Sequence, residues 1–481
     1  MANLKKNFFY SVLLTLANYV FPLITYPYVS RVLGVTGIGI CNYVDNIVNY
    51  FIVFSTMGIS VLGVREIAAV RSGEKERSHV FSGLLALNGL TTLAAAVVLA
   101  VAIIVVPKLF PYRNLLYLGV AKLVAHSLSL EWFFRGIEEF KYITDRSIAI
   151  KTLYVVAVFL FVRNPEDYGV YYLLLTLSVV ANMLVNVLYS RRYVSLSLKN
   201  LDLARMAAPY FLLGMNFILT STYSTFNVIY LGSVQDVDQV GYYTSATKIL
   251  SIVTALITAF TTVMLPRMSA VLTDGKMEEF RAYIGKAFHL LFLVGIPAVF
   301  LMVMEAMDIV WVISGAGYSG AIVPMQIVSP MLLLAGMDQI LIMQIMMPRK
   351  EDRRILVNSA IGAAVGIVLN LLLVRVMGAT GSALVWVCSE LAVCIAAMAA
   401  VLGKDGITFP GRDVLKMLLC FLPLLPILLF TSTLQIEKSY FRLAISGGIT
   451  ALYFMLVTCW ILKDPFVLGL LQEVTGRLKK H

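Results

Sequence analysis

The sequence predicts an all-α membrane protein of about fourteen transmembrane helices, grouped as two six-helix lobes followed by a C-terminal two-helix hairpin. Three observations predict it: a composition too apolar for water, a succession of apolar stretches long enough to span a bilayer, and an internal repeat. The 481 residues are 60% hydrophobic and 14% charged, with a mean hydropathy of +0.87. Soluble domains carry about 25% charged residues and about 45–50% apolar ones. Disorder is excluded as well, because it requires low hydrophobicity and high charge.

A membrane helix needs about 20 mostly apolar residues. Fourteen stretches qualify, at roughly 8–29, 38–62, 79–106, 114–134, 142–162, 168–190, 207–231, 240–265, 287–310, 319–347, 355–374, 381–402, 417–433 and 443–462. Lys5 and Lys6 precede the first, as in a signal peptide. That run is too long for a signal core, however, and ends in Pro27, Tyr28 and Arg31 rather than at a small-residue cleavage site. It reads as a retained first span. Turn and charge clusters separate later spans, as at Arg71-Ser72-Gly73-Glu74-Lys75 and Arg349-Lys350-Glu351-Asp352. The fifth span is the least regular, with Arg146 and Lys151 in its first turns. Pro22, Pro27, Pro297, Pro324, Pro330, Pro423 and Pro426 are expected to kink their helices.

The net charge of +11 comes from 38 Lys and Arg against 27 Asp and Glu. Sorted by alternate loops, 29 of the 38 fall on the side that carries Lys5, Arg71, Arg135, Arg191, Lys199, Arg267, Arg349, Lys404, Arg477, Lys479 and Lys480. This asymmetry is the positive-inside signal. It places both termini in the cytoplasm and removes nucleic acid as the reason for the charge. Only Lys122 and Lys248 lie well inside spans.

An offset of 202 residues relates the two halves. Gly39-Ile40-Cys41 falls on Gly241-Tyr242-Tyr243, Val64-Arg65 on Pro266-Arg267, and Gly73 on Gly275. The expected organisation is a first lobe over 1–200, a second over 201–403 and the hairpin over 404–481. Transporters built from repeats bind their cargo at the interface between them.

Polar residues recur at helical spacing on several spans. Asn42, Asp45, Asn46 and Asn49 share one face; Asn216, Thr220, Tyr223 and Asn227 share another; Lys122, His126 and Ser129 a third; Thr244, Lys248 and Ser251 a fourth. Such groups are costly against lipid, so they are expected either to line a wet cavity or to bond helix to helix. Asp45, Lys122 and Lys248 each lie about 10–12 Å from the outer face at 1.5 Å per residue, and form a candidate charged layer. Glu131, Asp338 and Glu390 are further acids in or near the membrane, and Arg31 lies near an outer end.

Several chemistries are missing. There is no G-x-x-x-x-G-K-[ST] phosphate loop, HExxH or GxSxG motif. The five cysteines and four histidines are dispersed without metal-ligand spacing. A transporter is therefore expected rather than an enzyme, with no cofactor or metal.

Tyr26-Pro27-Tyr28-Val29-Ser30-Arg31-Val32-Leu33-Gly34 resembles the first-span signature of Wzx-type polysaccharide flippases. The segment Glu131-Trp132-Phe133-Phe134-Arg135-Gly136-Ile137-Glu138-Glu139-Phe140-Lys141-Tyr142-Ile143-Thr144 resembles that family more specifically. Gly241-Tyr242-Tyr243-Thr244-Ser245-Ala246-Thr247-Lys248-Ile249 and Leu265-Pro266-Arg267-Met268-Ser269 are similar to it in the second half. The resemblance runs from about residue 5 to 400. It implies the multidrug/oligosaccharidyl-lipid/polysaccharide exporter superfamily, with two lobes forming a V around a central cavity. Two departures stand out: Asn227 replaces an acid common in relatives, and Arg135 a glutamine.

The implied function is a flippase of the bacterial inner membrane, moving an undecaprenyl-pyrophosphate-linked oligosaccharide repeat unit outward by alternating access. A pyrophosphate needs cations in a desolvated cavity, which Lys248, Lys122 and Arg31 can supply. Sugar hydroxyls need amides, which Asn42, Asn46, Asn216 and Asn227 can supply, while Arg135 is a candidate specificity residue. Asp45, Glu131, Asp338 or Glu390 are candidates for proton or sodium coupling. Glycosyltransferases and a polysaccharide polymerase are the expected partners, besides the bilayer itself. The alternatives are a multidrug exporter of the same superfamily, a membrane polymerase or ligase, and a non-transporting scaffold.

Overall fold

The computed structural model describes residues 2–197, 201, 203–403, 406–433 and 438–469, with side chains at all of these except 2–5, 8, 255–263, 265–267, 269 and 432–433. Lys199, Lys404, Arg477, Lys479 and Lys480 lie outside the described residues, and the side chains of Lys5 and Arg267 outside the described side chains.

Long apolar runs without water to bond their amides must satisfy those amides internally, so the described residues are helical apart from short turns and loops. The helices are α1 Ala2–Thr56, α2 Ile59–Ala69, α3 Glu74–Val105, α4 Arg113–Ser127, α5 Glu131–Gly136, α6 Phe140–Phe161, α7 Tyr168–Ser190, α8 Leu203–Val234 and α9 Val237–Thr273. They continue as α10 Met277–Met304, α11 Ala306–Ile313, α12 Ile322–Val328, α13 Met331–Asp338, α14 Asp352–Leu369, α15 Arg375–Val401, α16 Gly411–Phe421, α17 Leu424–Thr433 and α18 Ser439–Leu456.

The expectation of fourteen spans is overturned. Among the described residues, eight helical segments are long and apolar enough to cross a membrane, or nine if the bent pair Ala316–Val328 and Met331–Met346 is one span. Two expected boundaries are not loops. Phe9–Ala69 and Asp352–Val401 each run as one segment where the sequence had placed two spans, with breaks at Gly34 and at the Met57–Gly58 turn in the first and at Gly378 in the second. The fourth expected span yields only the 15-residue α4. The fifth yields α6, which carries Lys141, Asp145, Arg146 and Lys151. The division into two six-helix lobes does not emerge either, because one hydrophobic core crosses both halves: Val29, Leu33, Val44 and Tyr172 pack in the same cluster as Leu231, Val240, Val310 and Tyr318.

The other two clusters are confined. Ile59, Leu62, Phe81, Trp132, Phe133 and Phe134 form one, to which the second half adds Tyr210. Phe280, Ile284, Phe288, Met346, Ile355 and Val401 form the other. Both lie toward the loops rich in Lys and Arg, here called the basic end. The shared core lies toward Gly34. One core thus joins the two halves toward Gly34, and α8 joins them again at the basic end, where Tyr210 Oη donates to Ser55 O at 2.9 Å.

The prolines act less than expected. α1 stays helical through Pro22 and Pro27 and breaks instead at Gly34, where φ is 67° and ψ −176°. Only glycine adopts that conformation readily. α10 also continues through Pro297. Pro330, by contrast, sits at a bend of 47°, and Pro423 falls between α16 and α17.

Candidate functional site

Asp45 and Lys122 are brought together. Asp45 lies in the second segment of α1 and Lys122 in α4, two helices packed together through Val44, Val48, Leu116 and Leu123. Lys122 Nζ donates to Asp45 Oδ1, and Asn49 Nδ2 donates to the other carboxylate oxygen at 3.1 Å. Lys122 is 9% exposed. The ion pair therefore satisfies both charges where neither could stand alone cheaply.

Lys248, in α9, lies within electrostatic range of both members of that pair. Its side chain is solvent-accessible. No described carboxylate forms a salt bridge with Lys248, whereas Lys122 is neutralised by Asp45. His126, one turn beyond Lys122 on α4, is likewise accessible.

A cavity of about 320 Å3 continues from His126 toward the basic end, lined among others by Thr56, Ser60, Ser129, Glu131, Arg135 and Asn182. Its charged wall is built on α5 and α6. Glu131 receives Arg135 at 3.5 Å and Arg146 at 3.2 Å. Arg146 is buried, and also donates to Asn186 Oδ1 and to Ser147 Oγ. Arg146 and Asn186 were not among the expected site residues. Their signal was the basic residue in the first turns of an otherwise apolar stretch.

Asn42 and Asn46 lie along the same face of α1 as Asp45. Each donates its amide to the carbonyl four residues earlier, at 2.8 Å. The carbonyl oxygens of these side chains thus remain for other partners. Asp338 and Glu390 also come within electrostatic range of each other, together with Tyr223 and Cys394. Asp338 Oδ1 is buried without a hydrogen bond, and no described cation pairs with either acid.

Three expected residues lie elsewhere. Arg31 caps α11: its guanidinium donates to Val312 O and, at 3.1 Å, to Pro27 O. Asn216 accepts from Ser359 Oγ at 2.8 Å. Asn227 is fully buried, and its amide donates to Ser382 O at 2.9 Å and Tyr243 Oη at 3.2 Å. Two buried acids were overlooked. Asp308 accepts both Nε and Nη2 of Arg442, and Glu305 accepts from Ser446 Oγ at 2.8 Å and Thr431 Oγ1 at 3.3 Å. Two acids within the apolar run ending α10 and opening α11, with one arginine near the start of the last span, were the available signal.

The arrangement is a polar cavity at His126, Glu131 and Arg135 inside an apolar bundle, with Lys248 near the Asp45–Lys122 pair. Among the described residues no group of His, Cys, Asp and Glu is placed to hold a metal ion. In comparisons, the chain is 24% identical over 367 residues to a protein of Escherichia coli K12 named a candidate O-antigen transporter, covering 75% of this chain and 88% of that one. A protein of the same name from Shigella dysenteriae is 24% identical over 275 residues, covering 55% of this chain and 67% of the relative. Among solved structures, the lipid II flippase MurJ in an inward closed conformation superposes with a TM-score of 0.76 at 14% identity, covering 95% of this chain and 99% of that one. An inward-facing multidrug resistance transporter of the MATE family superposes with a TM-score of 0.60 at 14% identity, covering 81% and 97%. At such identities these likenesses establish the fold. Residues 4–272 match the polysaccharide biosynthesis protein family, and the chain belongs to that family, as a multi-pass membrane protein related to the superfamily of multidrug and lipid-linked oligosaccharide transporters.

Proposed function

We propose that the protein flips an undecaprenyl-pyrophosphate-linked oligosaccharide from the cytoplasmic to the outer leaflet of a bacterial inner membrane. Lys248, which forms no salt bridge with a described carboxylate and lies near the Asp45–Lys122 pair, carries this reading. A cation held in a low-dielectric cavity without a counter-ion is set to receive an anionic group, and a pyrophosphate is the charged part of such a lipid. Lys122 stands behind it, restrained by Asp45. The sugars would occupy the cavity between His126 and Arg135, whose lining offers both donors and acceptors for hydroxyls. The polyprenyl tail would stay in the bilayer. The names of the curated relatives support the substrate class, and the Lys/Arg asymmetry supports cytoplasmic termini.

Asp338 and Glu390 are the coupling candidates. Two carboxyls sharing a buried site with no basic partner require neutralisation, which a proton or sodium ion can provide. A multidrug exporter is the second reading, because the MATE fold is shared. An uncompensated lysine in the cavity repels cationic drugs, which favours the anionic lipid.

Reconstituted protein with a fluorescent polyprenyl-pyrophosphate glycan tests the proposal. Wild-type protein should move it between leaflets, and Lys248→Ala should abolish movement at normal abundance. Full activity in Lys248→Ala removes that residue from the site. Absence of glycan movement in the wild type, alongside drug export by an overexpressing strain, favours the second reading.

A further inference from the structure

We propose that a hollow between the start of α6 and the end of α7 binds the headgroup of a zwitterionic aminophospholipid, with the phosphate between Lys141 and Arg146 and the primary ammonium on Asp145. The site is separate from the cavity at His126 and goes beyond the transport reading.

The hollow measures about 590 Å3 and lies at the basic end, against the first turns of α6 and the last turns of α7. Lys141, Tyr142, Asp145, Arg146, Ala149 and Ile150 line it from α6. Their spacing, in pairs four residues apart, is that of one helix face. Val185 and Tyr189 line it from α7, and Glu139 from the turn before α6. Polarity changes with depth. The charges occupy the first two turns of α6, and the lining beyond them is Ala149 and Ile150. Further along the same helices, Leu153 and Val156 of α6 and Leu184 of α7 are exposed. A phospholipid has this order, with a charged head at the membrane surface and apolar chains beyond it.

The charges select a ligand of both signs. Lys141 and Arg146 are balanced by Glu139 and Asp145. Arg146 is held by Glu131 and Asn186, although its Nε hydrogen has no acceptor among the described residues. Glu139 accepts from Tyr193 Oη at 3.1 Å. Lys141 and Asp145 are exposed, and neither forms a described salt bridge. They stand one turn apart with the base first, the less favourable order for pairing along a helix. A phosphate with an ammonium two carbons away satisfies both, whereas a purely anionic head is repelled by Asp145. The aromatic rings select the kind of amine. Tyr142 and Tyr189 stack with centroids 3.8 Å apart. Arg146 lies over Tyr142 at 5.7 Å, and Arg192 over Tyr189 at 5.1 Å. Quaternary ammonium groups are recognised by open aromatic faces. Here each ring already has an aromatic and a cationic neighbour. A primary ammonium, which donates hydrogen bonds to a carboxylate, is therefore favoured over choline. Arg146 also joins the hollow to the cavity, because the same guanidinium holds Glu131 in the cavity wall.

Native mass spectrometry of the full-length protein tests this. The protein is equilibrated with equal amounts of phosphatidylethanolamine, phosphatidylcholine and phosphatidylglycerol carrying the same acyl chains. Bound phosphatidylethanolamine should exceed each of the others about tenfold, the effect of one charge-assisted hydrogen bond. Asp145→Asn should abolish that preference. Lys141→Ala should lower retention of phosphatidylethanolamine and phosphatidylglycerol alike. Both positions are exposed, and an unchanged melting temperature in each variant separates lost binding from lost folding. Equal retention of the three lipids by the wild type overturns the proposal, as does highest retention of phosphatidylglycerol. A preference for phosphatidylethanolamine that survives in both variants overturns the placement at α6. The measurement uses no glycan, so its result stands apart from whether the protein moves one.

Discussion

Arg442 grips Asp308 with two nitrogens on two carboxylate oxygens, while Asp308 is only 2% exposed. The pair ties the start of α18 to α11, so the last two spans are held by a buried charge as well as by packing. Removing one partner of such a pair strands the other, at a cost of about 3–5 kcal/mol. Arg442→Ala should therefore lower the melting temperature of the purified protein strongly. Arg442→Leu combined with Asp308→Leu should recover most of the loss.

Lys122 and Asp45 should be coupled in the same sense. Lys122→Met alone leaves Asp45 half-buried with only Asn49 as a partner. The double variant Lys122→Met/Asp45→Asn should be more stable than that single variant. A double-mutant cycle on thermal stability should return an interaction of about 0.5–3 kcal/mol. Additive effects would mean that the two residues act independently.

Asn227 bridges α8 to α9 and α15 from a fully buried position. Asn227→Leu leaves Tyr243 and the Ser382 carbonyl without that partner and should cost about 1–3 kcal/mol. Unfolding of detergent-solubilised protein measures this. The ratio of transport rates for two glycans should stay unchanged, because Asn227 does not reach the cavity.

Glu390→Gln and Asp338→Asn should separate coupling from binding. Either change removes an ionisable group from the pair while keeping a polar side chain in place. Binding of the lipid-linked glycan should persist, and stimulation of transport by an ion gradient should be lost. Gradient-stimulated transport at wild-type level in both variants would place coupling elsewhere.

The Asp45–Lys122 pair was legible because helical spacing and span depth are additive along each helix. Charges placed at the same depth on neighbouring helices meet wherever those helices pack. Span boundaries were less legible. Hydropathy drops at Arg31-Val32-Leu33-Gly34 and at Arg375-Val376-Met377-Gly378 as it does at a loop, yet in both places the chain breaks at one glycine and stays helical on either side. Arg31 illustrates a second limit. A cation at a span end can serve a ligand or a helix terminus, and only the position of α11 decides between them. Asn227 illustrates a third, since its stripe faces a protein neighbour rather than water. The repeat was visible at 202 residues from Gly39 and Gly241, but not that these equivalents touch.

Gly34 has no atom within 4 Å of where a β-carbon would sit. Space is not what demands glycine there. The demand comes from the sign of a single torsion, which a left-handed amino acid resists and its mirror image accepts. A chain carrying D-alanine at position 34 should therefore fold as the native one does, whereas L-alanine should not. At this position the selection is for chirality rather than size.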